Sequence, residues 1–173
     1  MKLTDKLADS LLKLGLVRAY GLQGGSVAHI MDSYVSLGGS LSFQHHEQHS
    51  ILAATGDFLT SGLPGLVFVS TGPAGTNALT GLLGAWQDSI PLIVVSGQTR
   101  VSELSYGLGV RQIGSQESPI VELVKPITKK ALCFLSETGI SECIEDLLET
   151  ATSARQGPVW IDIPIDLQLS ENY

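Results

Sequence analysis

The chain has 173 residues, 43% of them hydrophobic and only 16% charged, with 19 glycines. That suffices for one domain with a substantial core, and the composition excludes disordered and coiled-coil classes. A formal net charge of −7, with ten lysines and arginines scattered along the chain, argues against a nucleic-acid or anionic-membrane partner.

Met1-Lys2-Leu3-Thr4-Asp5 leads into an amphipathic helix rather than a signal peptide, and no apolar run reaches membrane-spanning length. Cytoplasm is the expected location, with an organelle as the alternative if a targeting peptide has been removed. Cys133 and Cys143 lack CxxC or zinc-site spacing and are expected as buried or free thiols in a reducing compartment.

Leucines at 3, 7, 11 and 14 predict a helix over Thr4 to Leu14, with Thr4 as N-cap and Gly15 as its stop. Val17 to Leu22 reads as a short strand ending in the turn Gln23-Gly24-Gly25. Ser26 to Val35 is helical in pattern, and Leu41 to Phe43 is a second strand. A helix is expected from Glu47 through Leu59, closed by Ser61-Gly62. The apolar run Leu66 to Ser70 suits a central parallel strand. Thr71 to Asn77 reads as a strand-to-helix loop, followed by a helix from Ala78 to Trp86 and a strand from Pro91 to Ser96.

Gly97 to Ser118, with four glycines and weak periodicity, reads as a long loop of the kind that serves function or motion. Ile127 to Leu135 is a strand candidate, Ser141 to Ala154 an amphipathic helix, and Gly157 to Ile163 the last strand. Trp86 and Trp160 are expected in the core. This cadence predicts one α/β domain over residues 1–173: three α/β/α layers around a mostly parallel sheet of about six strands.

In such a fold, ligands bind where the strand ends open into a crevice. The loops expected there are Leu22-Gln23-Gly24-Gly25, His46-Glu47, Thr71 to Asn77 and the segment after Ser96. Glu47 stands at a strand-to-helix junction beside Ile51-Leu52-Ala53-Ala54, where partial desolvation suits a carboxylate to proton chemistry. The same position also suits a structural carboxylate paired with a helix dipole.

His46-Glu47 fails the HExxH zinc pattern because Ser50 stands where the second histidine belongs. His45 and His49 share i,i+4 spacing but lack an evident third ligand, so no metal site is expected on this chain. Thr71 to Asn77 lacks a P-loop lysine, and Gly107-x-Gly109 lacks the third glycine of a dinucleotide fingerprint. Gly24-Gly25 makes either a tight turn or a close ligand approach. Composition alone makes Gln116-Glu117 solvated polar residues.

The same loops resemble the N-terminal, pyrimidine-binding domain of thiamine diphosphate enzymes of the acetolactate synthase type. The resemblance rests on the order and spacing of several short stretches. These are Tyr20 to Gly25, His46-Glu47-Gln48, Thr71 to Asn77, Asp88 to Pro91, Ser96-Gly97-Gln98, Gln116-Glu117, Lys125 to Lys129 and Gly157 to Pro164.

This resemblance implies that Glu47 hydrogen-bonds N1′ of the aminopyrimidine and favours its imino tautomer, which then removes the thiazolium C2 proton. It implies that Thr71, Gly72, Pro73 and Asn77 line the pyrimidine pocket. Gly24 and Gly25 would face cofactor and substrate, and Gln116 would reach the site from the long loop as a catalytic residue. It further implies a 2-keto acid substrate, carboligase or decarboxylase activity and a homo-oligomer.

Two departures on the expected substrate side, Gln23 in place of a usual proline and Ser115 in place of a usual phenylalanine, put acetolactate synthesis specifically in question. The family binds diphosphate and Mg²⁺ through another domain carrying Gly-Asp-Gly, and Gly56-Asp57-Phe58 is not that motif. The expectation is therefore a fragment of a longer enzyme or one subunit of a split one, with any flavin (FAD) requirement unspecified. The isolated chain is then expected to be inactive. A non-catalytic interaction module that kept the fold is the alternative.

Overall fold

A computed structural model describes residues 1–171. Six parallel strands form one sheet: β1 (Arg18–Gly21), β2 (Ser40–Phe43), β3 (Gly65–Val69), β4 (Leu92–Gln98), β5 (Lys130–Cys133) and β6 (Val159–Pro164), in the order β2-β1-β3-β4-β6-β5. The helices are α1 (Leu3–Lys13), α2 (Ala28–Ser36), α3 (Glu47–Ser61), α4 (Pro73–Gln87), α5 (Ile120–Val124), α6 (Ile140–Thr152) and α7 (Ile165–Gln168).

Strand alternation sorts the core into two layers. Leu66, Phe68, Ile93, Val95, Val159, Ile161 and Ile163 face one side and pack with buried residues of α1, α2 and α6, including Leu7, Leu11, Tyr34 and Ile144. Val67, Val69, Leu92, Val94 and Trp160 face the other, against Ile51 of α3, Ala78 and Leu82 of α4, and Ile120 and Val124 of α5. Burying one large side chain such as Phe68 contributes about 1.5–3 kcal/mol. Both faces of β3 and β4 are covered, which explains their unbroken apolar runs. The three-layer α/β/α expectation holds, and every strand pairing is parallel.

Several boundaries differ from the sequence reading for identifiable reasons. Lys2, rather than Thr4, caps α1, its backbone N–H donating to the Asp5 carboxylate at 3.1 Å. Thr4 is buried in the first turn, its hydroxyl 2.9 Å from Ser33 Oγ. Most of the supposed loop Thr71 to Asn77 is helix, because Pro73 suits the first helical position, where no amide is needed. Ile127 to Leu135 yields only the four residues of β5, preceded by a 3₁₀ turn over Lys125–Ile127 whose Pro126 has no amide for a sheet ladder. The short helices α5 and α7 have no strong periodic signal. Trp160 lies in the core as expected, whereas Trp86 is only half-buried near the start of β4.

Candidate functional site

The chain reverses its direction of travel across the sheet between β1 and β3, since β1 leads outward to β2 while β3 leads to β4. Loops leaving the two strands diverge there and open a crevice. A cleft of about 340 Å³ occupies this position, lined by Gly25, Ser26, Ser70, Thr71, Gln98 and Gln116 among others. Its walls come from the end of β1, the end of β3, the end of β4 and the returning long loop.

Gly25 has open space where a side chain would stand, whereas a Cβ on Gly24 would lie 2.4 Å from Ser70 Oγ. Gly24 therefore packs against protein, and Gly25 is the position that leaves room on the cleft. Ser26 Oγ accepts the Thr71 backbone N–H and lies 2.9 Å from Ser70 Oγ, joining the two diverging loops. Thr71 Oγ1 donates to Gln98 Oε1 at 2.9 Å.

Gly72 has φ 63° and ψ −123°, a conformation suited to glycine, and a Cβ there would meet the Gln116 carbonyl oxygen at 2.2 Å. Gln116 itself has φ 59°, unusual for a side chain of its size. The turn before α4 and the loop carrying Gln116 are thus in direct contact.

Glu47 is the first residue of α3 and is buried, with 5% of its surface exposed. His46 caps the helix through Nδ1, which accepts the Gln48 N–H at 3.2 Å. Asn77, in the first turns of α4, donates from Nδ2 to Glu47 Oε2 at 3.0 Å. Glu47, Asn77 and Pro73 do not line the cleft containing Gly25, Thr71 and Gln116. Pro73 and Asn77 follow directly after Thr71-Gly72 in the first turns of α4, and Glu47 joins them through Asn77.

The long loop is more built than its composition suggests. Its first residues, Gly97 and Gln98, belong to β4, and Val101–Glu103 form a 3₁₀ turn. Glu117, expected to be solvated, is buried and acts as a clamp. One carboxylate oxygen accepts the Ser105 N–H at 2.6 Å and its hydroxyl at 2.7 Å; the other accepts the Ile113 N–H at 2.8 Å. Burial pushes this carboxyl's pKa up, but the backbone amides of Ile113, Ser105 and Gly114 and the Ser105 hydroxyl outweigh it, leaving the pKa lowered.

Gln116 is exposed, as expected, and sits beside this clamp. Glu117→Gln replaces one acceptor by an amide donor and should speed hydrogen exchange at Ser105 and Ile113 by about tenfold or more, since bonds to a charged acceptor contribute about 1.5–3 kcal/mol. Because the folded-state pKa is depressed, protection should be present above the ordinary glutamate range and fade as pH falls through the lowered value. Unchanged exchange in the variant would show that the loop is ordered by something else.

Ser115 lines the cleft, whereas Gln23 lines a separate depression with Met31, Val35 and Phe43. At the opposite, N-terminal edge of the sheet, another depression is lined by Trp86, Lys129 and Arg155. The two cations there are engaged with helix ends: Lys129 Nζ donates to the Ser153 carbonyl at 2.6 Å and Arg155 to that of Gln87 at 3.1 Å.

Sequence reasoning missed a buried polar chain beneath the cleft, made of Ser96, Gln98, Trp160 and Asp162. Its available signal was Asp162, a carboxylate in the otherwise apolar strand Val159–Pro164. Cys133 and Cys143 are both free and half-buried, and burial, reinforced by nearby Asp162, pushes the Cys133 thiol up to about 12, which leaves it protonated. Among the described residues no group of three or more His, Cys, Asp or Glu side chains could hold a metal ion, and no helix is long and apolar enough to cross a membrane.

Comparison with known proteins locates this geometry. Residues 1–122 match the family model for the thiamine pyrophosphate enzyme, N-terminal TPP binding domain. The acetolactate synthase isozyme 3 large subunit of Escherichia coli (strain K12) is 34% identical over 164 residues, covering 94% of this chain and 28% of that protein. The chloroplastic acetolactate synthase of Arabidopsis thaliana is 34% identical over 171 residues, covering 95% of this chain and 24% of that protein. An acetolactate synthase large subunit of Buchnera aphidicola is 33% identical over 172 residues, covering 97% and 28%. The chain thus spans about a quarter of the length of these relatives. With the family model covering most of its length, the chain belongs to the thiamine pyrophosphate enzymes, as their N-terminal TPP-binding domain.

Proposed function

We propose that this chain is the pyrimidine-binding half of a thiamine diphosphate-dependent carboligase or decarboxylase acting on a 2-keto acid, with Glu47 as the residue that activates the cofactor. The observation that carries the proposal is a buried carboxylate at the switch-point side of the sheet, held by a single amide donor from Asn77. An acceptor of this kind suits a protonated ring nitrogen, and its burial keeps water from competing for the contact. The cofactor, when bound, supplies the electron sink for cleaving the keto acid's carboxylate bond.

The chain's own residues divide the remaining work. Glu47 holds the proton shared with the pyrimidine ring, and Asn77 fixes the rotamer of Glu47. Thr71, Gly72 and Pro73 form the wall at the start of α4. Gly25 leaves space on the cleft; Gly24 acts one step removed, by letting the end of β1 close on Ser70. Gln116, presented by the Glu117 clamp, faces the substrate side. The buried Glu47 acceptor with its Asn77 donor suits a ring nitrogen, and the adjoining cleft of about 340 Å³, near the lower end of ligand sites of about 300 to 1,000 Å³, leaves room beside it for the rest of a small ligand. Diphosphate and Mg²⁺ fall to a diphosphate-binding domain or subunit, since no Gly-Asp-Gly stretch occurs here.

The chain alone should therefore bind thiamine diphosphate weakly and catalyse nothing. With a diphosphate-binding half and Mg²⁺ it should bind tightly and decarboxylate a 2-keto acid. Titration calorimetry with and without that half is the test, and equally weak binding in both would count against the reading. Leu52 and Leu59 of α3 and Leu83 of α4 are exposed, an apolar face that fits a homo-oligomer. Sedimentation at micromolar concentration should show self-association, and a strictly monomeric chain would remove that part of the proposal.

A further inference from the structure

A chain of five side chains, Trp160, Ser96, Asp162, Gln98 and Thr71, runs from the core of β6 to the wall of the cleft, and with Asp162 ionised each hydrogen bond along it has one direction. The Trp160 indole N–H can only donate, and it reaches Ser96 Oγ at 2.8 Å. Ser96 in turn donates to Asp162 Oδ1 at 2.5 Å. The second carboxylate oxygen accepts from Gln98 Nε2 at 2.8 Å, and the same nitrogen also donates to the Ser118 carbonyl at 3.2 Å. Gln98 Oε1 accepts the Thr99 backbone N–H and the Thr71 hydroxyl, each at 2.9 Å. A flipped Gln98 amide would set NH₂ against an N–H and oxygen against two oxygens, so only one orientation satisfies the site. Asp162, Gln98 and Ser96 are all buried, so nothing from solvent can substitute for these partners.

We propose that Asp162 is a positioning residue: through Gln98 it commits the Thr71 hydroxyl proton inward, so that Thr71 Oγ1 faces the cleft as an acceptor and selects ligands presenting an N–H or O–H there. Thr71 and Gln98 both line the cleft, but Gln98 is fully buried and Thr71 only half-buried, so Thr71 is the member of the chain most open to a ligand there. Its backbone N–H is already spent on Ser26 Oγ, which removes the competing donor at this residue. An acceptor atom of a ligand placed against Thr71 would meet lone pairs alone and lose a hydrogen bond it had made in water. The wall of the cleft is thus polarised by a carboxylate that never touches the ligand.

The inference rests on the pyrimidine-site reading only for the choice of probe. Two pyrimidines are compared by ligand-observed NMR on the full 173-residue chain: 4-amino-2-methylpyrimidine, which carries N–H donors, and 4-dimethylamino-2-methylpyrimidine, which carries none. The wild type should favour the amino compound, and Thr71→Val should weaken that compound about tenfold, the effect of one lost hydrogen bond. The dimethylamino compound should be indifferent to the change. Thr71→Ser should restore the wild-type preference. Gln98→Leu, which frees the Thr71 proton, should narrow the preference as Thr71→Val does while far-UV circular dichroism stays unchanged.

Equal effects of Thr71→Val on both probes, or none, would overturn the acceptor assignment. The relay is read separately from the wild-type side-chain amide of Gln98, which should exchange slowly and show a through-hydrogen-bond coupling to the Asp162 carboxyl carbon. A freely exchanging Gln98 amide would overturn the relay whatever the probes do. If neither probe binds the wild type, the pyrimidine-site reading fails, and the amide measurement still decides the relay.

Discussion

Glu47→Gln in the assembled enzyme is expected to slow exchange of the thiazolium C2 proton of bound thiamine diphosphate about 10²–10⁴-fold, the usual effect of removing a positioned acid/base group. The substitution keeps the shape of the side chain and leaves an oxygen to accept from Asn77 Nδ2, which Glu47 Oε2 does at 3.0 Å. Cofactor affinity should change much less than the exchange rate, because a glutamine can still hydrogen-bond a ring nitrogen. Proton–deuterium exchange followed by NMR, wild type against variant, separates the two effects. Exchange as fast as in the wild type would reduce Glu47 to a carboxylate that merely complements the amino-terminal end of α3.

The second large effect is on stability. Asp162 is completely buried, and burial pushes its carboxyl from 3.8 up to about 7, although the Ser96 and Gln98 hydrogen bonds pull the other way. The groups facing it, Ser96, Gln98 and Trp160, are neutral, and its titratable neighbours Tyr106 and Cys133 are both shifted upward by burial and stay protonated. A carboxyl whose folded pKa exceeds its unfolded one contributes stability that is complete below the unfolded value and is lost as pH rises through the folded value. The wild-type chain should therefore lose stability between about pH 4 and pH 8, by an amount on the order of a few kcal/mol.

Asp162→Asn removes the titration and keeps an oxygen for Gln98 Nε2, while its NH₂ replaces the oxygen that accepts from Ser96 Oγ, so the Ser96 hydroxyl turns to accept from it. Its stability should be nearly flat over the same range, so the variant gains on the wild type as pH rises. Parallel urea-unfolding profiles at pH 5 and pH 8 would mean that Asp162 stays charged throughout and that its hydrogen bonds fully offset its burial.

The layer architecture was legible in the chain because it depends on local pattern. Leu66 to Val69 and Leu92 to Val95 are continuous apolar runs, and only strands covered on both faces need them. Leucines at 3, 7 and 11 mark the buried face of α1 in the same way. Glu47 was legible as a carboxylate at a strand-to-helix junction, and Thr71 to Asn77 as the segment that follows a strand end, though not as the first turns of α4. Their short motifs sit where parallel strands end, which is also where such sheets place ligands.

What the sequence by itself left open are relations between residues distant along the chain. The Asn77 amide meets Glu47 across thirty positions, and Gln98 meets Asp162 across sixty-four. Nothing in the composition of Gln116-Glu117 shows that the second residue is buried while the first is exposed, because that depends on amides at Ser105 and Ile113 folding back onto one carboxylate. Gly24 and Gly25 are chemically identical in the sequence, yet Ser70 packs against one and the cleft opens beside the other. The strand order that makes the end of β1 diverge from the end of β3 is likewise set by which apolar faces can be covered together. Local pattern determined which segments became strands and helices and which short motifs lie at the strand ends. Long-range packing alone decided which of those turns share a wall, because burial and hydrogen-bond satisfaction are properties of the assembled sheet and not of any stretch of chain.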